Sequence, residues 1–84
     1  MPAKVLVDRK VDRQFLRFPI HIQGKIIKAY RILGSSPLSG KKLKGELKNF
    51  YKYRVGDYRI VYRFDLKTET LTVVKIEHRQ GVYR

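Results

Sequence analysis

Apolar and polar positions follow a helical period in the first half of the chain and a strand period in the second. The run 3–7 is short and β-branched, with Val5 and Val7, and predicts an outer strand. Over 8–18, Val11, Phe15 and Phe18 recur at helical spacing while Arg9, Lys10, Arg13 and Arg17 supply a wet side. Asp8 stands where a helix cap belongs, and Pro19 ends this helix and opens the next. Over 20–33, Ile22, Ile26, Ile27, Tyr30 and Leu33 form the stripe of a helix packed on a sheet, with Gly34 as its stop. The two helices make an αα-hairpin, and 35–42, rich in Ser, Pro, Gly and Lys, reads as a mobile loop.

From residue 51 the period changes to two. The segments 51–55, 58–65 and 71–76 are β-rich, separated by Gly56-Asp57 and by the polar stretch 66–70, and predict a three-stranded meander that the N-terminal strand joins. The fold class is α+β: an N-terminal helical hairpin packed on a small, twisted, mainly antiparallel four-stranded sheet. No repeat, low-complexity segment or internal boundary interrupts residues 1–84, so one domain is expected.

The turn fixes the register. Gly at its first central position supplies the positive φ that two-residue hairpins require, which sets Arg54 opposite Arg59, Tyr53 opposite Ile60, Lys52 opposite Val61 and Tyr51 opposite Tyr62. Alternation then gathers Tyr51, Tyr53, Tyr58, Ile60, Tyr62 and Phe64 on one face and Lys52, Arg54, Arg59 and Arg63 on the other. The aromatic face is the core. Like charges directly across a ladder are destabilising unless an anion bridges them, and guanidinium forks suit phosphate oxygens. A row of cations on a strand is most often a solvated surface, but here the aromatics claim the interior and leave the cationic face to a ligand.

Charge strengthens this picture. The 84 residues hold 20 Lys and Arg against 7 Asp and Glu, a formal charge of +13, with a pI of about 10.4, which favours polyanions: nucleic acid first, or an acidic protein that masks the surface. The cations are spread along the chain, unlike a membrane-binding amphipathic helix or tail. With no Cys and only His21 and His78 as imidazoles, neither a disulfide, a thiolate nucleophile nor a zinc centre is expected. No segment approaches the roughly 20 apolar residues of a membrane span or shows a signal-peptide pattern, so a cytoplasmic location is expected.

Three pieces together carry a family resemblance: Lys42-Leu43-Lys44-Gly45, then the hairpin Tyr51-Lys52-Tyr53-Arg54-Val55-Gly56-Asp57-Tyr58-Arg59-Ile60-Val61-Tyr62, then His78-Arg79-Gln80-Gly81-Val82-Tyr83. The composite resembles the RelE family of the RelE/ParE toxin superfamily over nearly the whole chain. The resemblance implies an mRNA interferase that cleaves the message in the ribosomal A site and is silenced by an acidic cognate antitoxin. Its partners would be mRNA, the ribosome and that antitoxin, with no membrane and no direct DNA contact by the toxin alone. The family's basic pair before the turn falls on Lys52 and Arg54, its arginine after the turn on Arg59, its arginine after the last strand on Arg79, and its C-terminal tyrosine on Tyr83. Lys42, Lys44, Lys48 and Arg63 would add contacts to RNA.

Cleavage of this kind needs no metal or other cofactor. The ribose 2′-hydroxyl attacks the adjacent phosphorus, and the protein orients it, removes its proton, stabilises the phosphorane and protonates the departing 5′-oxygen. Arg54, Arg59 and Arg79 are the candidate phosphate clamp. For the base, Lys52 among like charges gains access to its neutral amine, Tyr83 can stack on a nucleobase or share the proton transfer, and His78 is an alternative acid or base. Some relatives use a catalytic glutamate, but Glu46, in a loop, and Glu77, between Lys75 and Arg79, read instead as local charge balance. A ParE-like gyrase poison and a noncatalytic RNA-binding module are the rival readings.

Overall fold

The computed structural model describes residues 2–45 and 49–79. Strand β1 (Lys4–Val7) is followed by helices α1 (Arg9–Arg17) and α2 (Ile20–Ser35), then by strands β2 (Lys41–Lys42), β3 (Phe50–Val55), β4 (Tyr58–Asp65) and β5 (Thr70–His78). Among the described residues the sheet has five strands in the order β1-β5-β4-β3-β2, with β1 parallel to β5 and the other pairs antiparallel. The four-stranded expectation is therefore corrected by one: β2 is a two-residue edge strand, too short for any hydrophobic period to announce it.

Local chemistry accounts for the helix ends. The Asp8 carboxylate accepts the Lys10 N–H at 3.2 Å at the start of α1. The Gln23 side chain donates to the Phe18 carbonyl at 3.0 Å and ties the corner around Pro19. Gly34 does not stop α2, which runs one residue further. The glycine lets β1 approach closely instead: its carbonyl accepts the Ala3 N–H at 2.7 Å, and an added Cβ would sit a tight 3.3 Å from Val5 Cγ2.

Val11, Ile26, Ala29 and Leu33 of the helices close over Ile60, Tyr62, Leu71, Val73 and Ile76 of the sheet. Ile27 is 42% exposed, because it follows Ile26 by a full 100° step and turns out of the stripe. Among the described residues no helix is long and apolar enough to cross a membrane.

A β-bulge keeps the core continuous. Val61 pairs with Lys75 but Tyr62 pairs with Val73, so Val74 is an extra residue in β5. Strict alternation from Leu71 and Val73 would drive Lys75 and Glu77 inward. The bulge shifts the parity, so that Ile76 is buried while Lys75 and Glu77 turn to the opposite face.

Segment 35–42 is not the loose loop its composition suggests. Pro37 is fully buried, and the Tyr62 hydroxyl donates to its carbonyl at 2.8 Å while accepting the Gly40 N–H at 2.9 Å. Burial raises the Tyr62 pKa, the Gly40 N–H partly opposes this, and Tyr51 and Tyr53 add to the rise.

Tyr30 is less well served. Its hydroxyl is buried without a hydrogen-bond partner among the described residues, and burial, with Asp12 adding, pushes its pKa up to about 12. Tyr30→Phe is expected to stabilise the fold by about 1 kcal/mol by removing an unsatisfied buried hydroxyl, read from the urea midpoint. Because the folded-state pKa lies above the ordinary value of about 10, the wild type keeps this group's contribution below pH ~10 and loses it as pH rises toward 12. The phenylalanine variant should lose less stability across that window.

Candidate nucleic-acid interface

The β3–β4 ladder has the register read from the turn, with Arg54 opposite Arg59, Lys52 opposite Val61 and Tyr51 opposite Tyr62. Gly56 has φ +58°, which suits a type II′ turn with glycine first. The ladder puts Lys52, Arg54 and Arg59 on the face opposite the helices, where no described helix covers them.

Three parts of the chain meet there. An open cavity of about 530 Å³ is lined by Lys41, Lys52, Arg54, Arg59 and Arg79, together with Ser39 and the Gly56-Asp57 turn. Arg79 arrives from beyond β5 because its backbone N–H donates to the Asp57 carbonyl at 2.7 Å, fastening it beside the hairpin tip. Lys41 arrives on β2 directly opposite Lys52.

Neighbouring groups treat these cations unequally. Arg54 is exposed and uses its Nε to reach the Gly56 carbonyl at 3.2 Å, and neither it nor Lys52 forms an ion pair among the described residues. Arg59 differs: its Nε and Nη2 both donate to Glu77 Oε1, at 3.2 and 2.8 Å. The expectation that only an external anion would answer the clamp thus fails at Arg59. The bulge in β5 is the reason, since it sets Glu77 opposite Arg59 across the ladder. Glu77 serves charge balance, but for Arg59, with Lys75 weakly attached at 3.6 Å.

Other sequence candidates fall elsewhere. His78 does not line the cavity: it pairs with Tyr58 on the core side of the sheet and meets that ring edge-on at 4.8 Å. An acid or base role at the clamp does not fit this position. Arg63 lies on the cationic face opposite Phe50, four residues beyond Arg59 and so about 13 Å along the strand, outside the cavity. Lys42 pairs with Tyr51, on the opposite side of β2 from Lys41, and Lys44 is exposed beyond it. Lys48, Glu46 and Tyr83 lie outside the described residues. Among the described residues no three His, Asp or Glu side chains gather as a metal centre requires.

Lys41 is the contributor that sequence reading passed over, and Glu77 was read there as charge balance without its tie to Arg59. Lys41 was adjacent to a quoted motif and needed only a partner strand to give it a face. If it meets one phosphate of single-stranded RNA, Lys41→Ala should flatten the log–log salt dependence of binding by about 0.7, measured with an uncleavable 2′-O-methyl RNA.

A family model described as the ParE toxin of type II toxin-antitoxin systems, parDE, matches residues 7–83. The toxin RelG of Mycobacterium tuberculosis is 31% identical over 86 residues, covering 100% of this chain and 99% of RelG. The structure of the toxin–antitoxin complex RelBE2 from the same organism superposes with a TM-score of 0.85 at 28% identity, covering 94% of this chain and 100% of that one. The archaeal RelE–RelB complex of Pyrococcus horikoshii shares the fold, with a TM-score of 0.79 at 22% identity over 94% of this chain and 97% of that one. The protein is therefore a small basic toxin by class. It belongs to the RelE/ParE superfamily of toxins of type II toxin–antitoxin systems.

Proposed function

We propose that this toxin is a metal-independent endoribonuclease that cuts mRNA in the ribosomal A site, in the cytoplasm, and that an acidic antitoxin holds it inactive. One observation carries the reading: Lys52, Arg54, Arg59 and Arg79, from separate positions in the chain, line a single open cavity. A cavity walled by these four cations and Lys41 fits a phosphodiester better than any neutral ligand, and its arginine donors match the equatorial oxygens of a phosphorane. As the O2′–P bond forms, the P–O5′ bond breaks. The products are a 2′,3′-cyclic phosphate and a 5′-hydroxyl, with the proton lost from O2′ balanced by the one gained at O5′. Lys52 is the base candidate within the cavity, and Tyr83 is the proposed partner in stacking or proton transfer.

The antitoxin rests on charge and on kinship. The chain carries +13, and the related RelBE2 structure at 28% identity is a toxin–antitoxin complex. Leu16 and Ile20, 75% and 80% exposed, add apolar surface for a protein partner among the cations of the helices.

A ParE-like action on gyrase is the second reading, favoured by the description of the matching family model. The test sets primer extension on translated mRNA beside gyrase-dependent supercoiling. Cuts within ribosome-bound message, with supercoiling untouched, are the expected outcome; inhibited supercoiling with intact message would reverse the assignment.

A further inference from the structure

We propose that Glu77 is a positioning residue that holds Arg59 in the orientation needed to receive the scissile phosphate, a role that rests on the nuclease reading above. Three observations converge. Oε1 of Glu77 takes both the Nε and the Nη2 of Arg59, at 3.2 and 2.8 Å, and so fixes the plane of the guanidinium. Glu77 is not part of the cavity wall whereas Arg59 is, so the carboxylate stands behind the arginine and not beside the ligand. The contact exists only because Val74 is bulged out of the β4–β5 ladder; without that extra residue Glu77 would face the core. Bulges that re-aim a side chain beside a site are a recurrent device.

The geometry implies an exchange between binding and turnover. An unrestrained arginine must lose rotamer freedom when it meets the phosphate, while a clasped one is already in place and requires no reorganisation as charge develops. The clasp uses one N–H each of Nε and Nη2 and leaves both N–H groups of Nη1 and the second of Nη2 as donors. The carboxylate also cancels one positive charge and repels the bound backbone, which weakens ground-state binding. Interactions arranged this way raise turnover and not affinity.

The test is a cycle of Glu77→Ala and Arg59→Ala in the full chain, with cleavage of ribosome-bound mRNA and binding of a 2′-O-methyl RNA as separate readouts. Glu77→Ala should lower kcat about tenfold, as for a catalytic group left loosely placed, while the uncleavable RNA binds more tightly and with a steeper salt dependence. In the Arg59→Ala background it should lower kcat no further. Glu77→Gln, which removes the charge but keeps an acceptor, should bind RNA as tightly as the alanine variant and recover part of the lost kcat. A purely structural role predicts weaker binding together with a lower melting temperature. Unchanged kcat, weakened binding, or an equal loss in both backgrounds would overturn the proposal. A wild type that binds RNA but never cuts it fails the nuclease reading first and takes this role with it; a cleaving wild type with an indifferent Glu77 sinks the role alone.

Discussion

Arg54→Ala is expected to lower the cleavage rate at saturating message about 100-fold, which corresponds to the ~3 kcal/mol that one preorganised donor supplies to developing charge. Its side chain is exposed, lines the cavity, and has a single weak tie to the Gly56 carbonyl at 3.2 Å. Truncation also relieves repulsion from Arg59 across the ladder, so stability should stay within about 0.5 kcal/mol of wild type. The measurement is single-turnover cleavage with the urea midpoint as control. A noncatalytic RNA-binding module predicts another result: weaker, salt-dependent binding and no product in either protein. A gyrase poison predicts that the substitution leaves RNA out of the outcome altogether.

Tyr62→Phe should be the most damaging conservative change in the core, lowering stability by about 2–4 kcal/mol, because a buried carbonyl and a part-buried N–H of the backbone lose their partner at once. The Tyr62 hydroxyl donates to the Pro37 carbonyl at 2.8 Å and accepts the Gly40 N–H at 2.9 Å. Phenylalanine keeps the ring and its stack on Tyr51, at 5.3 Å between centroids, so the loss isolates the hydroxyl. For a small domain with a total stability of about ten kcal/mol this is a large fraction. The consequence should reach the interface. Gly40 precedes Lys41, and no Cβ fits at that glycine, since one would come within 2.8 Å of the Lys52 carbonyl. Releasing the strap therefore frees β2 from β3. Hydrogen exchange at Gly40 and Lys41 should accelerate, and RNA affinity should fall with it. An unchanged urea midpoint would show that the strap contributes nothing.

These effects mark how far local sequence reached. The Gly56-Asp57 turn involves four consecutive residues, so its φ requirement set the β3–β4 register without tertiary information, and with it the cationic face of Lys52, Arg54 and Arg59. The amphipathic stripes of α1 and α2 were equally local, with Ile27 misplaced because one step along a helix turns a side chain out of the buried arc. His78 was chosen by chemical type, which carries no information about the side of the sheet on which it stands.

What the sequence determined by itself was the sign and grouping of the hairpin's charges, because alternation and turn geometry act between neighbours. Only the tertiary structure decided what stands around them. Lys41 gained its place by pairing with Lys52, 11 residues on, through a strand too short to show a period. Arg79 gained its place through a backbone bond to Asp57. Glu77 reached Arg59 because β5, held between β1 and β4, bulges at Val74 to keep Ile76 buried. In each case the deciding energy is the burial or pairing of groups distant in the chain, to which a local pattern is blind.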